Sequence, residues 1–446
     1  MRLSAKTEYA ALAVVELARR IDCPTPVRIR EICAAQGVPP RFLVQILLQL
    51  KAAGIVTSTR GAAGGYRLAR RPEEISLADI RGAIEGAADA AAPVTAELAV
   101  LGHLSVGWSG CDRRVAGTCT LREAAAPTGV RIGTTLDPAQ IGDALYTSVL
   151  HREFGALTPE NALKMYSIQN QRGAWTFAGA DAVVDHAIAN GLEVRGHTLV
   201  WSQDQYTPSW VAGITDPVEL RAVTDEYIAT VVGRYAGRVA RWDVVNEPLA
   251  TYGTVSSGSV WDDVLGAGWI GEAFRAAHRA DPDAELWINE YGTDWVPGKH
   301  AALLALVAGL LTDGVPVHGV GLQTHRTSTA GPDPATFRRQ LQDFTALGLK
   351  VAITELDVPT DPRDAGGPAA QAAAYRRIVE ACLAVAGCEE VTTWGISDAD
   401  TWLDSLGIFR TPTRPLLFDE ALAAKPAHRA VLAAFCAGRP RNAAAV

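Results

Sequence analysis

The chain is 446 residues long, 48% hydrophobic and 20% charged, with a net charge of −8. That length exceeds one small domain and accommodates a barrel of about 250 residues beside a second unit, and the composition is that of a soluble globular protein. No apolar run reaches the roughly 18 residues that a membrane span requires, so no membrane partner is expected.

The charge is uneven: residues 1–125 carry a net +4 and the remainder −12. The first part can approach a polyanion, whereas the second is repelled by one. Glu8 and Glu16 interrupt the apolar stretch at the Met1 end and no small-residue cleavage site follows, which argues for a cytoplasmic protein. Secretion is expected only if the first domain is absent from the mature form. The seven cysteines make no dense framework. Cys382 and Cys388, on either side of a turn, are the pair suited to a local bridge, given an oxidising compartment.

In chain order, Leu3–Arg20 reads as an amphipathic helix with Leu12, Val15 and Leu17 among its apolar positions. A helix over Arg28–Gln36, a Gly37-Val38-Pro39-Pro40 turn and a helix over Arg41–Ala53 form a helix-turn-helix pattern, whose second helix enters the major groove of DNA. Val56–Arg70 supplies two strands around a glycine turn, a wing with cationic edges. Arg41, Gln45, Arg60 and Arg67 are the candidate DNA contacts; the alternative is the solvated face of a small helical domain.

LSAKTEYAALAVVELA, PPRFLVQILLQLKAAGIV, GGYRL and PEEISLADI resemble the small winged-helix transcription regulators of the iron-sulfur cluster regulator family, over residues 1 to about 122. The resemblance implies a cluster held by three cysteines in the loop ending at Cys119-Thr120-Leu121-Arg122, followed by a long pairing helix. This loop offers Cys111 and Cys119, with His103 as a third candidate, and thiolate clusters generally need four ligands. Glu123–Thr128 is alanine-rich and contains Pro127 in place of the pairing helix. No cofactor is expected.

From Arg131 onward, short apolar runs alternate with helix-length segments: RIGTTL, FGALTPE, EVRGHTLV, RWDVVNE, LWINEYG, HGVGLQTH, VAITELD and VTTWGIS. Eight such runs predict an α/β fold, a (β/α)8 TIM barrel, preceded by the small, mainly α winged-helix domain. The expected organisation is a winged helix over 1–125, a junction over 126–130, a barrel over 131–437 and a disordered tail over 438–446. The last helix is expected over Pro426–Cys436.

The polar side chains of this half gather at the C-terminal ends of the runs, the face on which barrels build their sites. Glu160, Asn161 and Lys164 follow the second run, and His197 and Trp201 the third. Asn246 and Glu247 end the fourth, Gln323 and His325 the sixth, Glu355 the seventh, and Trp394 lies in the eighth with Trp402 beyond it. Two carboxylates brought together, Glu247 and Glu355, are the minimal equipment for cleaving a glycosidic bond. A metal site built on His197, His325, Glu247 and Glu355 is the other reading, but no pair has the i, i+4 helical spacing of zinc hydrolases, and no metal is expected.

TPENALK, RGHTLVW, WDVVNE, GLQTH, ITELD, VTTWGISD and PLLFDEALAAKPA resemble family 10 glycoside hydrolases, the retaining endo-1,4-β-xylanases, over residues from about 130 to 436. The resemblance implies Glu247 as acid/base, Glu355 as nucleophile, Asn246 as donor to the sugar 2-hydroxyl, and His325 as the group holding Glu355. It also implies that Glu160, Asn161, Lys164, His197, Trp201 and Gln323 line glycone subsites and that Trp394 and Trp402 stack on sugar faces. Xylan or xylo-oligosaccharides are the implied partners. The chain departs from the family pattern at Met165, where Trp is usual, at Ser202, where His is usual, and at Leu403, where Arg is usual. The rival class is a DNA-binding regulator whose barrel senses sugar, in which weak DNA contact runs through residues 1–125.

Overall fold

The computed structural model describes residues 5–19, 26–36, 40–59, 64–70, 75, 77–85, 119–250, 258–326, 333–360, 366–406 and 412–438. The chain divides into two compact units, Met1–Thr118 and Cys119–Val446. Among the described residues no helix is long and apolar enough to cross a membrane.

The first unit holds helices α1 (Ala5–Arg19), α2 (Ile29–Gln36), α3 (Pro40–Ala52) and α4 (Leu77–Glu85), with the antiparallel ribbon of β1 (Val56–Thr59) and β2 (Gly65–Leu68) between α3 and α4. Ala10, Ala13 and Leu17 of α1, one helical face, pack with Leu43, Ile46, Leu47 and Leu50 of α3 and with Ile80 of α4. The GGYRL motif has a steric reason. A Cβ on Gly65 would lie 2.5 Å from the Val27 carbonyl oxygen, with which the ribbon makes its bridge at Tyr66, so only glycine fits.

The second unit is a closed barrel of eight parallel strands. They are β3 (Arg131–Leu136), β4 (Ala156–Pro159), β5 (Glu193–Trp201), β6 (Arg241–Asn246), β7 (Glu285–Glu290), β8 (Gly319–Leu322), β9 (Lys350–Leu356) and β10 (Cys388–Thr393). Neighbours pair in sequence order, and β10 closes on β3 through Glu390↔Arg131 to Thr393↔Thr134. All eight predicted runs are strands. They read as continuous apolar, β-branched stretches because parallel barrel strands are buried on both faces. The strand starts carry charge that is paired in place: Arg131 and Arg241 both reach Glu193 and Glu390, while Lys350 bridges Glu285 and Glu389. Cys382 and Cys388 form a disulfide between the end of the Gly367–Leu383 helix and the start of β10.

The expected junction at 126–130 is corrected: the division falls after Thr118. Thr120 caps the short helix Leu121–Ala125 in a capping box with Glu123, and Leu121, Ala124, Ala125 and Thr128 are all buried in the barrel unit. Glu153 accepts the Leu121 backbone N–H at 2.9 Å and lies 3.2 Å from His428 Nε2, tying this segment to the last helix, Pro426–Ala437. A turn at Ala126–Thr128 and Gly129 in the left-handed region then lead into β3, so no long helix follows Arg122. The expected tail, after Gly438, lies outside the described residues.

The position of the division is testable. A chain beginning at Cys119 keeps the capping box and Leu121 and is expected to unfold at the temperature of the barrel in the full chain. One beginning at Pro127 loses a cap worth about 1 kcal/mol and a buried leucine worth about 2 to 5 kcal/mol, so its thermal midpoint drops by several degrees. Equal midpoints would place Leu121–Ala125 outside the barrel's stability.

Candidate active site

At the C-terminal ends of the barrel strands lies a cleft of about 560 Å³. It is lined by all twelve barrel residues singled out above: Glu160, Asn161, Lys164, His197, Trp201, Asn246, Glu247, Gln323, His325, Glu355, Trp394 and Trp402. A second depression, bordered by Gln342, Lys350 and Ala384–Gly387, sits at the opposite end by the strand starts and contains no carboxylate pair.

Glu355, near the end of β9, is buried, which by itself would raise its pKa, yet the hydrogen bond from His325 and the positive charges around it, Lys164 among them, hold it below the usual carboxylate range. His325 Nε2 lies 2.9 Å from Glu355 Oε2 and its Nδ1 lies 2.8 Å from Asp357 Oδ2. Both ring nitrogens face carboxylates, so both donate and the ring is an imidazolium. Burial opposes that charge, but Asp357 and Glu355 outweigh it and push the His325 pKa up to about 10. Asp357 is fixed in turn by the Trp402 indole N–H at 2.8 Å.

Glu247 is half-buried, and its pKa moves the other way. Burial raises it and repulsion from Glu355 adds to the rise, against donation from Gln323 and the pull of Lys299. Gln323 Nε2 donates to Glu247 Oε1 at 2.9 Å, and the Trp201 indole N–H faces the same carboxyl without a regular hydrogen bond. The two carboxyls are thus poised oppositely, one to hold a proton near neutrality and the other to stay ionised.

Amide side chains connect them. Asn289 Nδ2 donates to Glu355 Oε1 at 2.6 Å and to Asn246 Oδ1 at 2.9 Å, and Gln323 Nε2 reaches the same Asn246 oxygen at 3.2 Å. With its oxygen occupied twice, Asn246 turns its NH2 toward the cleft, where Nδ2 lies 3.5 Å from Glu247 Oε1. Asn289 has room because a Cβ at Gly321 would lie 2.3 Å from its Oδ1. Glu247 and Thr324 have φ of +56° and +60°, left-handed backbone that costs non-glycine residues about 1 to 3 kcal/mol each.

On the other side, Lys164 Nζ donates to Asn161 Oδ1 at 3.0 Å and lies over the Trp201 and Trp394 rings at 4.7 and 5.6 Å. Burial pushes the Glu160 carboxyl up to about 6 against the attraction of Lys164. His197 Nδ1 is 3.0 Å from Asp243 Oδ2, and Arg195 clamps Asp243 from below with contacts of 3.1 and 2.5 Å. The metal reading fails on donors: His325 has spent both nitrogens on carboxylates, and no described group of three His, Cys, Asp or Glu side chains could hold an ion.

Residues 120–434 match the model of glycosyl hydrolase family 10. The chain belongs to that family. It is similar to endo-1,4-beta-xylanase 3 of Hypocrea jecorina, 38% identical over 301 residues covering 67% of this chain and 81% of that protein. It is also similar to endo-1,4-beta-xylanase 2 of Aureobasidium pullulans, 40% identical over 291 residues covering 63% and 79%. Among solved structures, native xylanase 10B from Thermotoga maritima superposes with a TM-score of 0.67 at 36% identity, covering 71% of this chain and 98% of that one. Residues 3–143 match the iron-dependent transcriptional regulator family. The protein is therefore a glycoside hydrolase carrying a regulator-like unit ahead of its family 10 barrel.

The departures from the family 10 pattern are accommodated locally. Ser202 is buried with its hydroxyl 3.0 Å from that of Ser259, which caps the helix Val260–Leu265. Met165 and Leu403 are buried side chains. Gln203 and Gln205 both line the cleft, and Tyr206 stacks on Trp201 with ring centroids 3.7 Å apart. Sequence reasoning missed the supporting groups Asp243, Asn289 and Asp357. The last stands two residues beyond Glu355 in a strand, a spacing that puts both side chains on one face.

Of the candidate DNA contacts, Gln45 is exposed on α3 and Arg67 is half-buried on β2, whereas Arg60 and the Arg41 side chain lie outside the described residues. His103 and Cys111 lie outside them too, and Cys119 belongs to the barrel unit.

The pKa shifts set a sign. Glu355 contributes stability above its ordinary value of 4.5 that is lost as pH falls, and His325 contributes stability below 6.5 that is lost as pH rises toward about 10. The cluster is strongest between those two ordinary values. His325→Ala removes the main donor to Glu355, so the acid limb of the kcat/KM profile is expected to move up by about one pH unit or more. An unmoved limb would mean that Glu355 owes its charge to other groups.

Proposed function

We propose that the barrel is a retaining endo-1,4-β-xylanase in which Glu247 is the acid/base and Glu355 the nucleophile. The observation that carries this reading is the opposed poise of two carboxyls that face one cleft, and the xylanases named above point to xylan as the substrate. In the first step the Glu355 carboxylate attacks the anomeric carbon while the Glu247 proton passes to the leaving oxygen. Glu355 is then an ester without charge, the repulsion that raised the Glu247 pKa disappears, and Glu247 becomes the base that takes a proton from the incoming water. Attack of that water from the face the leaving group vacated, opposite Glu355, releases the Glu355 carboxylate and leaves the product in its original configuration. The NH2 of Asn246, whose long contact to Glu247 leaves it a proton to give, would hold the sugar 2-hydroxyl, and Trp394 and Trp402 offer aromatic faces to the rings. A sugar sensor has no use for a depressed carboxylate backed by an imidazolium, which favours catalysis over sensing.

Glu247→Ala is expected to lose most activity on xylan yet keep appreciable kcat/KM on an aryl β-xyloside with a good leaving group, which needs no proton. Glu355→Ala is expected to lose both. Proton NMR of the fresh wild-type product should show the β-anomer; α-anomer as first product would sink retention, and equal losses on both substrates for Glu247→Ala would sink its acid role.

We infer further that the first unit makes weak contact with DNA, supported by its helix-turn-helix order, its match to a regulator family and the net +4 of residues 1–125. Fluorescence anisotropy with duplex DNA should show binding that weakens steeply from low to physiological salt, as phosphate contacts do. Salt-insensitive, tight binding would contradict this.

A further inference from the structure

Behind Glu247 lies a charged pair that the mechanism does not use. Glu290 is the last residue of β7 and Lys299 the first of the helix Lys299–Thr312, and both are wholly buried. Lys299 Nζ is 2.9 Å from Glu290 Oε1, and it lies 3.2 Å from the centroid of the Tyr291 ring. Neither member lines the cleft, so neither can touch a bound sugar. A buried ion pair is a poor device for stability, because desolvating both charges offsets their attraction. A geometric role fits the contacts better.

Those contacts converge on the backbone around Glu247. Glu290 Oε2 accepts the Leu249 N–H at 3.0 Å and Oε1 accepts the Tyr291 N–H at 2.9 Å. The neighbouring carbonyl of Asn289 accepts the Glu247 N–H at 2.8 Å. The chain is thus held on both sides of Glu247, whose φ of +56° is one that a residue with a side chain rarely keeps without restraint.

We propose that the Glu290–Lys299 pair is a positioning device for the acid/base, clamping the left-handed turn that aims the Glu247 carboxyl. The proposal rests on the reading of Glu247 as acid/base. Glu290 supplies the acceptors for Leu249 and Tyr291, and Lys299 fixes its carboxyl from the other side, pulling against the burial that pushes that carboxyl up to about 8. The pair also acts on Glu247 through charge. The groups facing Glu247 are Glu355 from β9, Gln323 after β8, Trp201 from β5, Lys164 after β4, and Glu290 and Lys299. Among them Glu355 raises its pKa and Lys299 lowers it.

The test compares full-length wild type, Glu290→Gln and the double variant Glu290→Gln/Lys299→Met on soluble xylan and on an aryl β-xylobioside with a good leaving group. A misaimed acid costs only the reaction that needs a proton. Glu290→Gln should lower kcat/KM on xylan about tenfold or more while changing the aryl substrate less than about threefold. The double variant removes the unpaired ammonium and should show the same split if the single variant does not fold. Equal losses on both substrates, or no loss on either, overturn the clamp. Glu247→Ala run alongside separates the two readings: a split there with none in the Glu290 variants sinks the clamp alone, and no split there sinks the acid assignment and the clamp with it.

Discussion

A charge taken out of water inside a barrel must find a partner or give up its charge. That constraint organises the second unit from one end to the other. At the strand starts Arg131, Arg241 and Lys350 are each matched by glutamates on other strands. One layer up, Arg195 and His197 share Asp243, and at the rim His325 bridges Asp357 and Glu355. Each pair joins residues from different strands, so each is complete only when the barrel is closed. Folding and assembly of the site are one event.

The same constraint gives the cleft its asymmetry. Glu355 has an imidazolium and an amide donor within hydrogen-bond distance, whereas Glu247 has neutral amides, Gln323 at 2.9 Å and Asn246 at 3.5 Å, and a like-charged neighbour. Burial alone would raise both pKa values; the partners decide that only one rises. The backbone reflects this choice, since Glu247 and Thr324, the residue before His325, both take left-handed conformations. Strain of that kind persists only where surrounding contacts over-determine it, and here they are Asn289, Glu290, Gln323 and the strands that carry them.

Much of this was legible in the sequence, for physical reasons. A strand buried on both faces must be apolar throughout, so eight such runs announce a parallel barrel, and residues at their C-terminal ends must share one rim. The residues that stayed hidden are those whose value lies in a partner far along the chain. Asn289 looks like one more polar residue in LWINEYG until its amide is seen to donate to both Asn246 and Glu355. Arg195 and Asp243 sit inside strands, where a charge reads as an interruption unless its complement is known. The domain boundary was misread because Glu123–Thr128 is rich in alanine and ends near Pro127, the composition of a linker. Its Thr120-x-x-Glu123 capping box was the available sign of an ordered helix start.

Residues 120–143 fall within the matches to both families, and the structure allows the segment one role. Leu121–Ala125 is buried against the last barrel helix, and Arg131–Leu136 is the strand that pairs with both β4 and β10. Withdrawing it to build a regulator's helix would open the barrel between β4 and β10 and remove the strand on which closure depends. Cys119 travels with that segment, while the other loop cysteine, Cys111, belongs to the first unit.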